Sequence, residues 1–271
     1  MDIEKAYAIY FSPTYTTQES VTAFVEGMGV PVEKIDLTLP RVRKGFSHNF
    51  KKNEVVAVGL PVYGGRLPLD LEDFFTGLKG EGTPAAAIVL YGNREFDDAL
   101  IELRMRLEER GFVVKAGAAF IGEHTFSVTI ATGRPDTNDL AIAADFGKKV
   151  AAYISEGTSG NLVLKGNYPF VKKGYDPKVH LDFPPHPRFT TGDDCNQCGL
   201  CADECPWGAI DSHDCRIRNY SKCMICYRCF KNCPVNAIQM TNEKFREYLP
   251  SFEKRLTAQR KEPELFLPEA E

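Results

Sequence analysis

Residues 195–210 read CNQCGLCADECPWGAI, and residues 223–238 read CMICYRCFKNCPVNAI. Both stretches follow C-x2-C-x2-C-x3-C-P, so this part of the chain is an internal repeat. The chain has nine cysteines, all between Cys195 and Cys233. The spacing is that of the ligands of 4Fe-4S clusters. Three thiolates, each separated by two residues, wrap a tight turn around three iron corners of a cuboidal cluster. The fourth, followed by proline, points towards the neighbouring cluster and serves the other copy. One cluster is therefore assigned to Cys195, Cys198, Cys201 and Cys233, and the other to Cys223, Cys226, Cys229 and Cys205. Small residues at Gly199, Ala202, Gly208, Ala209 and Ala237 let backbone amides approach the sulfurs. Structural zinc favours four ligands in two separated pairs and fits this pattern poorly. Cys215, between the repeats, has no slot in either set and reads as a loop or core thiol. With every ligand a cysteine, no iron position stays open, and the pattern predicts electron transfer rather than catalysis at the clusters.

The remaining composition bounds what surrounds this module. A chain of 271 residues with 43% hydrophobic content is large enough for two domains with real cores. A net charge of -4 gives no global footprint for nucleic acid. No stretch approaches eighteen uninterrupted apolar residues, so no membrane span is expected. The start, MDIEKAYAIYFSP, lacks a basic n-region and a cleavage site. Cysteines confined to one segment point to metal rather than disulfides. The expected setting is soluble and cytoplasmic.

Residues 1–155 alternate strand and helix patterns. Apolar runs at 6–11, 32–37, 55–60, 85–91 and 112–121 read as strands. Helical spacing appears at 16–28, with Val21, Phe24, Val25 and Met28 on one face, and at 71–78. It is clearest at 96–110, where Leu100, Leu103 and Leu107 face inward, and recurs at 137–154, with Leu140, Ala144, Val150 and Ala151 inward. Such alternation implies right-handed βαβ units and a parallel sheet covered on both faces. From 156 to 191 glycines and prolines, among them Pro177, Pro184, Pro185 and Pro187, mark a linker. Within it NLVLKGNYPFV (161–171) suits a short strand or a clasp. The cysteine module then occupies 192–241, and a charged tail, 242–271, has helical stretches and reads as a solvated helix lying on the body.

In a doubly wound sheet, ligands bind beyond the carboxyl ends of the strands where strand order reverses. Three loops fall there. The first, Ser12-Pro13-Thr14-Tyr15-Thr16-Thr17, opens a helix, and its hydroxyls with the helix amides suit a phosphate. Neither G-x-G-x-x-G nor G-x-x-x-x-G-K-[ST] is present, which argues against a dinucleotide or nucleoside triphosphate. The second, Pro61-Val62-Tyr63-Gly64-Gly65-Arg66, and the third, Tyr91-Gly92-Asn93-Arg94-Glu95-Phe96-Asp97, each set aromatics beside glycines that permit close approach to a flat ring.

On these loops residues 1–155 resemble flavodoxin, and the whole chain is similar to the flavodoxin–ferredoxin fusion proteins. The resemblance implies a flavodoxin-like doubly wound parallel sheet of order 2-1-3-4-5, followed by a small α+β ferredoxin domain with two 4Fe-4S clusters in a βαββαβ unit. It implies FMN, with the phosphate held at Ser12, Thr14, Thr16 and Thr17, where Tyr15 stands in place of the usual glycine. It assigns stacking roles to Tyr63 and Phe96 and backbone contacts with the isoalloxazine to Gly92 and Asn93. Together the two modules imply an electron carrier between FMN, the clusters and external low-potential redox partners. The clusters and FMN meet either within one chain or across a homodimer. Two other readings stay open: a flavin-dependent reductase of a quinone, oxygen or small organic acceptor, with His124 and Arg66 as the nearby polar groups, and a ferredoxin whose first domain is an FMN-free docking platform.

Overall fold

The computed structural model describes residues 1–176 and 189–268. Pro177, Pro184, Pro185 and Pro187, read above as part of a linker, lie outside the described residues.

The apolar runs form the strands β1 (Lys5–Tyr10), β2 (Val32–Asp36), β4 (Glu54–Pro61), β6 (Thr83–Tyr91) and β7 (Phe112–Ile121). All four pairings among them are parallel: β1 with β2, β1 with β4, β4 with β6, and β6 with β7. Counted along these five strands the order is 2-1-3-4-5, the flavodoxin-like doubly wound arrangement. Strands β4 and β6 are buried almost throughout, as expected when helices cover both faces.

Successive strand residues point to opposite faces and feed two cores. On one face Ala6, Ala8, Ala57 and Ile88 meet Phe24 and Val25 of α1 (Thr16–Glu26) and Phe146 and Val150 of α5 (Thr137–Glu156). These two helices touch backbone to side: a Cβ on Gly147 would lie 1.8 Å from the Phe24 carbonyl oxygen. Leu140 and Ala144, expected inward, are only half-buried, because Ala143, Phe146 and Gly147 set the inner face of α5. On the other face Ile9, Val58 and Val89 meet Phe74 of α3 (Glu72–Thr76) and Leu100, Leu103 and Leu107 of α4 (Ala99–Glu108). The short helix α2 (Pro40–Arg43) and a two-strand sheet of β3 (His48–Phe50) and β5 (Leu78–Gly80) complete this unit.

The segment 161–172 packs as a clasp without forming a strand. Leu162 and Leu164 are buried in the second core. Asp98, fully buried, anchors the segment through four hydrogen bonds: from the backbone and side chain of Asn167 and from the amides of Val171 and Lys172.

The cysteine module is bracketed by β8 (Phe189–Thr191) pairing antiparallel with β9 (Ile238–Met240). Between them lie α6 (Leu200–Asp203), an isolated bridge between Ile210 and Arg218, and α7 (Arg228–Lys231). The tail differs from the solvated helix expected of it. Helix α8 (Glu243–Thr257) buries Phe245 and Phe252, and β10 (Glu264–Phe266) adds an antiparallel strand to the β7 edge of the sheet. Among the described residues no helix is long and apolar enough to cross a membrane.

Candidate functional site

A cavity of about 470 Å³ opens where the carboxyl ends of β1, β4 and β6 converge. Thr14, Thr16 and Thr17 line it from the first loop, Pro61, Val62, Tyr63, Gly64 and Gly65 from the second, and Tyr91, Gly92 and Arg94 from the third. Tyr15 itself makes no capping bond to α1, and with the Gln18 amide taken by Ser12 the amides of Thr16 and Thr17 remain as donors for an anion.

Five residues read as cofactor contacts do not line this cavity. The Ser12 hydroxyl turns into the helix and accepts from the Gln18 amide at 3.0 Å, while the Ser12 amide donates to Thr38 Oγ1 at 2.8 Å. Tyr15 sits at φ 70, the left-handed conformation for which glycine is the usual choice. Its ring faces the cysteine module, with the Arg228 guanidinium 5.0 Å from its centroid and the Asn232 amide donating to its hydroxyl at 3.1 Å. A contact between modules thus accounts for the tyrosine. Asn93 is turned to the tail: its amide donates to the carbonyls of Leu256 and Gln259, and its oxygen accepts from the Lys261 amide. Phe96, expected to stack on the ring, is 1% exposed and packs beside Tyr91 in the core. Asp97 is ion-paired with Arg94 behind the second loop. Arg66 is likewise committed, holding Glu102 through two hydrogen bonds of 2.7 and 2.8 Å with Phe170 stacked on it.

Other walls come from segments that carry no loop signal. His124, Phe126 and Phe252 close one side, and Gly174 and Tyr175 of the segment after the clasp close another. Phe252 crosses His124 edge to face at 5.2 Å. Gly92 is required here, because a Cβ would lie 2.5 Å from the imidazole. His124 Nδ1 accepts from the Phe126 amide at 3.1 Å, which leaves the proton on Nε2. Burial, with the nearby charges of Arg94 and Lys231, pushes its pKa down to about 4. It is a neutral donor at physiological pH.

The cysteine repeats are conformationally equivalent. Gln197 and Ile225, Gly199 and Tyr227, and Gly208 and Asn236 occupy matching positions, and all six have positive φ. This is the turn geometry that brings spaced thiolates to one side. The Ala209 amide donates to Cys205 Sγ and the Ala237 amide to Cys233 Sγ, each at 3.2 Å. A small cavity of about 20 Å³ is lined by Cys205, Cys223, Cys226 and Cys229, the four sulfurs grouped above across the two repeats. Cys198 is exposed, and Cys201 and Cys233 pack against Phe189, Tyr227 and Ile238. No two of the nine cysteines are joined by a disulfide. Among the described residues no group of His, Cys, Asp or Glu converges tightly enough for a single metal ion. Cys215 is buried: its amide donates to Gln197 Oε1 at 2.9 Å and its carbonyl accepts from Thr191 Oγ1 at 3.0 Å. Burial, with Cys215 beside it, pushes the Cys201 thiol up to about 12.

The two cavities share a wall. Met224 and Ile225, inside the second repeat, line both. Trp207 lines the cysteine cavity and lies 6.2 Å from the Tyr63 ring of the larger one, with Phe11 edge-on at 5.0 Å. Burial raises the Tyr63 phenol well above its usual pKa, and the Cys226 and Cys223 sulfurs add to the effect. Polar bonds lock the modules around this contact. Arg43 donates to the Pro206 carbonyl at 2.8 Å, Arg228 to the Pro13 carbonyl at 2.9 Å, and Lys231 pairs with Glu123 at 2.7 Å.

Comparison with known proteins gives the following. Residues 192–211 and 217–239 match the family described as 4Fe-4S binding domain. No curated protein matches the chain. Among solved structures, a flavodoxin from the domain Archaea is 20% identical, with a TM-score of 0.40, covering 56% of this chain and 99% of its own. Oxidised flavodoxin 1 from Bacillus cereus is 18% identical, with a TM-score of 0.38, covering 55% and 99%. The rubredoxin oxygen:oxidoreductase of Desulfovibrio gigas is 13% identical, with a TM-score of 0.39, covering 56% of this chain and 36% of its own. The fold assignment rests on the strand order, not on these likenesses.

Proposed function

We propose that the chain is an electron-transfer iron–sulfur flavoprotein carrying two 4Fe-4S clusters and FMN on one path. The observation that carries this reading is the wall of Met224 and Ile225 between the two cavities. Cys205, Cys223, Cys226 and Cys229 would hold the proximal cluster against that wall. Cys195, Cys198, Cys201 and Cys233 would hold a distal cluster, with Cys198 at the surface as the point of exchange with an external carrier. When bound, FMN exchanges electrons singly or in pairs, and each cluster exchanges one at a time.

The chain's own residues supply the rest. Thr14, Thr16, Thr17 and the first-turn amides suit the phosphate. Tyr63, Phe126 and Phe252 provide aromatic surface for the ring. His124 Nε2 offers a neutral donor. Helix α8 contributes Phe252 to the cavity wall. Arg66, a polar group the reductase reading would use, is held by Glu102. The path needs no second copy of the chain.

Anaerobic purification followed by iron, acid-labile sulfide and flavin analysis tests this. The expected content is about eight iron atoms and one FMN per chain. Zinc in place of iron, or iron without flavin, would overturn it.

A further inference from the structure

The proximal cysteine cavity contains more hydrogen-bond donors than the protein satisfies. Arg218 is fixed by its bridge to Ile210, lies over the Phe189 ring at 5.8 Å, and donates from Nη1 to Cys229 Sγ at 3.4 Å. Its second terminal nitrogen, Nη2, is buried without a partner, and so is Trp207 Nε1. Both residues line the cavity formed by Cys205, Cys223, Cys226 and Cys229. A buried unpaired N–H is costly, so two at one site imply an acceptor that completes them. Cluster sulfur is an acceptor of the right kind, and the Tyr227 hydroxyl, which also lines that cavity, bonds to neither donor.

The internal repeat supplies the control. Trp207 lies two residues after Cys205, and the matching residue after Cys233 is Val235. Arg218 lies five residues before Cys223, and the matching residue before Cys195 is Thr190. Val235 and Thr190 are both exposed, and neither offers a buried donor. The buried donor pair therefore lines the proximal site alone, although the Arg218 charge is also felt at Cys201.

Its physical effect follows from charge. One-electron reduction adds a negative charge to a cluster. Burial disfavours that change, and the proximal site is the more enclosed of the two. A cation and N–H donors at the sulfurs favour the reduced state, all the more in a low-dielectric interior. Resting on the two-cluster reading above, we propose that Arg218 and Trp207 raise the potential of the proximal cluster. They offset its burial and draw electrons from the exposed distal cluster towards the flavin cavity.

The test is an anaerobic redox titration of the full holoprotein, followed by electron paramagnetic resonance. Arg218→Met is expected to lower one cluster potential by at least the equivalent of tenfold in the equilibrium, about 59 mV for one electron. The affected signal should be the one whose spectrum is unaltered by Cys198→Ser. Arg218→Lys, which keeps the charge, should recover most of the shift, and Trp207→Phe, which keeps the ring, should lower the same potential by less. Unmoved potentials, or equal shifts in both clusters, with about eight irons still present, would overturn the inference alone. About four irons in the unsubstituted protein would overturn the two-cluster reading itself. If Arg218→Met does not assemble its clusters, Trp207→Phe decides, and an unmoved potential there refutes the proposal.

Discussion

Replacing Arg43 by Met tests how the two modules are joined. Its guanidinium is 3% exposed and spends every terminal donor direction on a different element. Nε donates to Asp73 Oδ1 at 2.8 Å, Nη1 to the Thr38 carbonyl at 2.7 Å, and Nη2 to the Pro206 carbonyl at 2.8 Å, one residue from Cys205. Methionine matches the apolar stem but supplies none of these bonds and loses the guanidinium that lies 5.7 Å from the Phe11 ring centroid. Each charge-assisted bond contributes roughly 1.5–3 kcal/mol. Relief of the desolvated charge offsets part of that, and breaking a buried pair from one side costs about 3–5 kcal/mol. A net loss of about 4 kcal/mol lowers the folded-to-unfolded ratio roughly a thousandfold. For a chain of this size it lowers Tm by about 8–16 °C. Thermal unfolding of the anaerobic holoprotein, followed by circular dichroism and flavin fluorescence, reads this directly. Flavin release should move with the main transition, because losing the Pro206 anchor frees Trp207, whose ring backs Tyr63 of the larger cavity. A fall in Tm of less than about 3 °C, with both probes unchanged, would refute the view that Arg43 ties the modules.

Three further outcomes follow from the geometry. Tyr63→Ala should weaken FMN retention roughly thirtyfold, the equivalent of about 2 kcal/mol of ring contact, as measured by flavin content after dialysis; unchanged content would remove Tyr63 from the site. His124 titrates near 4 when folded and near 6.5 when unfolded, so the unfolded chain binds more protons between these values. Stability should therefore fall by about 3 kcal/mol as pH drops from 6.5 to 4 and then level off, and His124→Gln should flatten that segment of a denaturant-derived stability profile. Asp98→Ala strips the acceptor from Asn167, Val171 and Lys172, and hydrogen exchange across 167–172 should accelerate roughly a thousandfold for a local loss of about 4 kcal/mol. Unaltered protection there would mean that Leu162, Leu164 and the Arg66 and Arg104 bonds to the Lys172 and Leu162 carbonyls hold the clasp without Asp98.

The sheet was readable because its strands are continuous apolar runs and its helices are amphipathic, so the pattern by itself fixes which segments are buried on two faces and which on one. The 4Fe-4S binding motif was readable because cysteine spacing is a local constraint, and Cys205 lines one cavity with Cys223, Cys226 and Cys229 of the second repeat. The loops lining the larger cavity were readable in part. Thr14, Thr16, Thr17, Tyr63 and Gly92 line the cavity, but Phe96 does not, since an aromatic beside glycine serves equally well as core against Tyr91. Phe252 and β10 carried no local signal. A three-residue strand between Pro263 and Pro268 pairs through its backbone, and only the open edge of β7 decides that it forms. Tyr15 looked like a departure from the loop pattern, and its partners Arg228 and Asn232 lie more than two hundred residues away.

The central claim is that the proximal cluster and the flavin cavity meet across Met224 and Ile225 within one chain. It is tested most directly by injecting single electrons into the clusters with a light pulse and following flavin absorbance over a wide dilution series. First-order flavin reduction is expected, with a rate constant that does not change with chain concentration. A rate that falls in proportion to dilution would place the transfer between chains and contradict it.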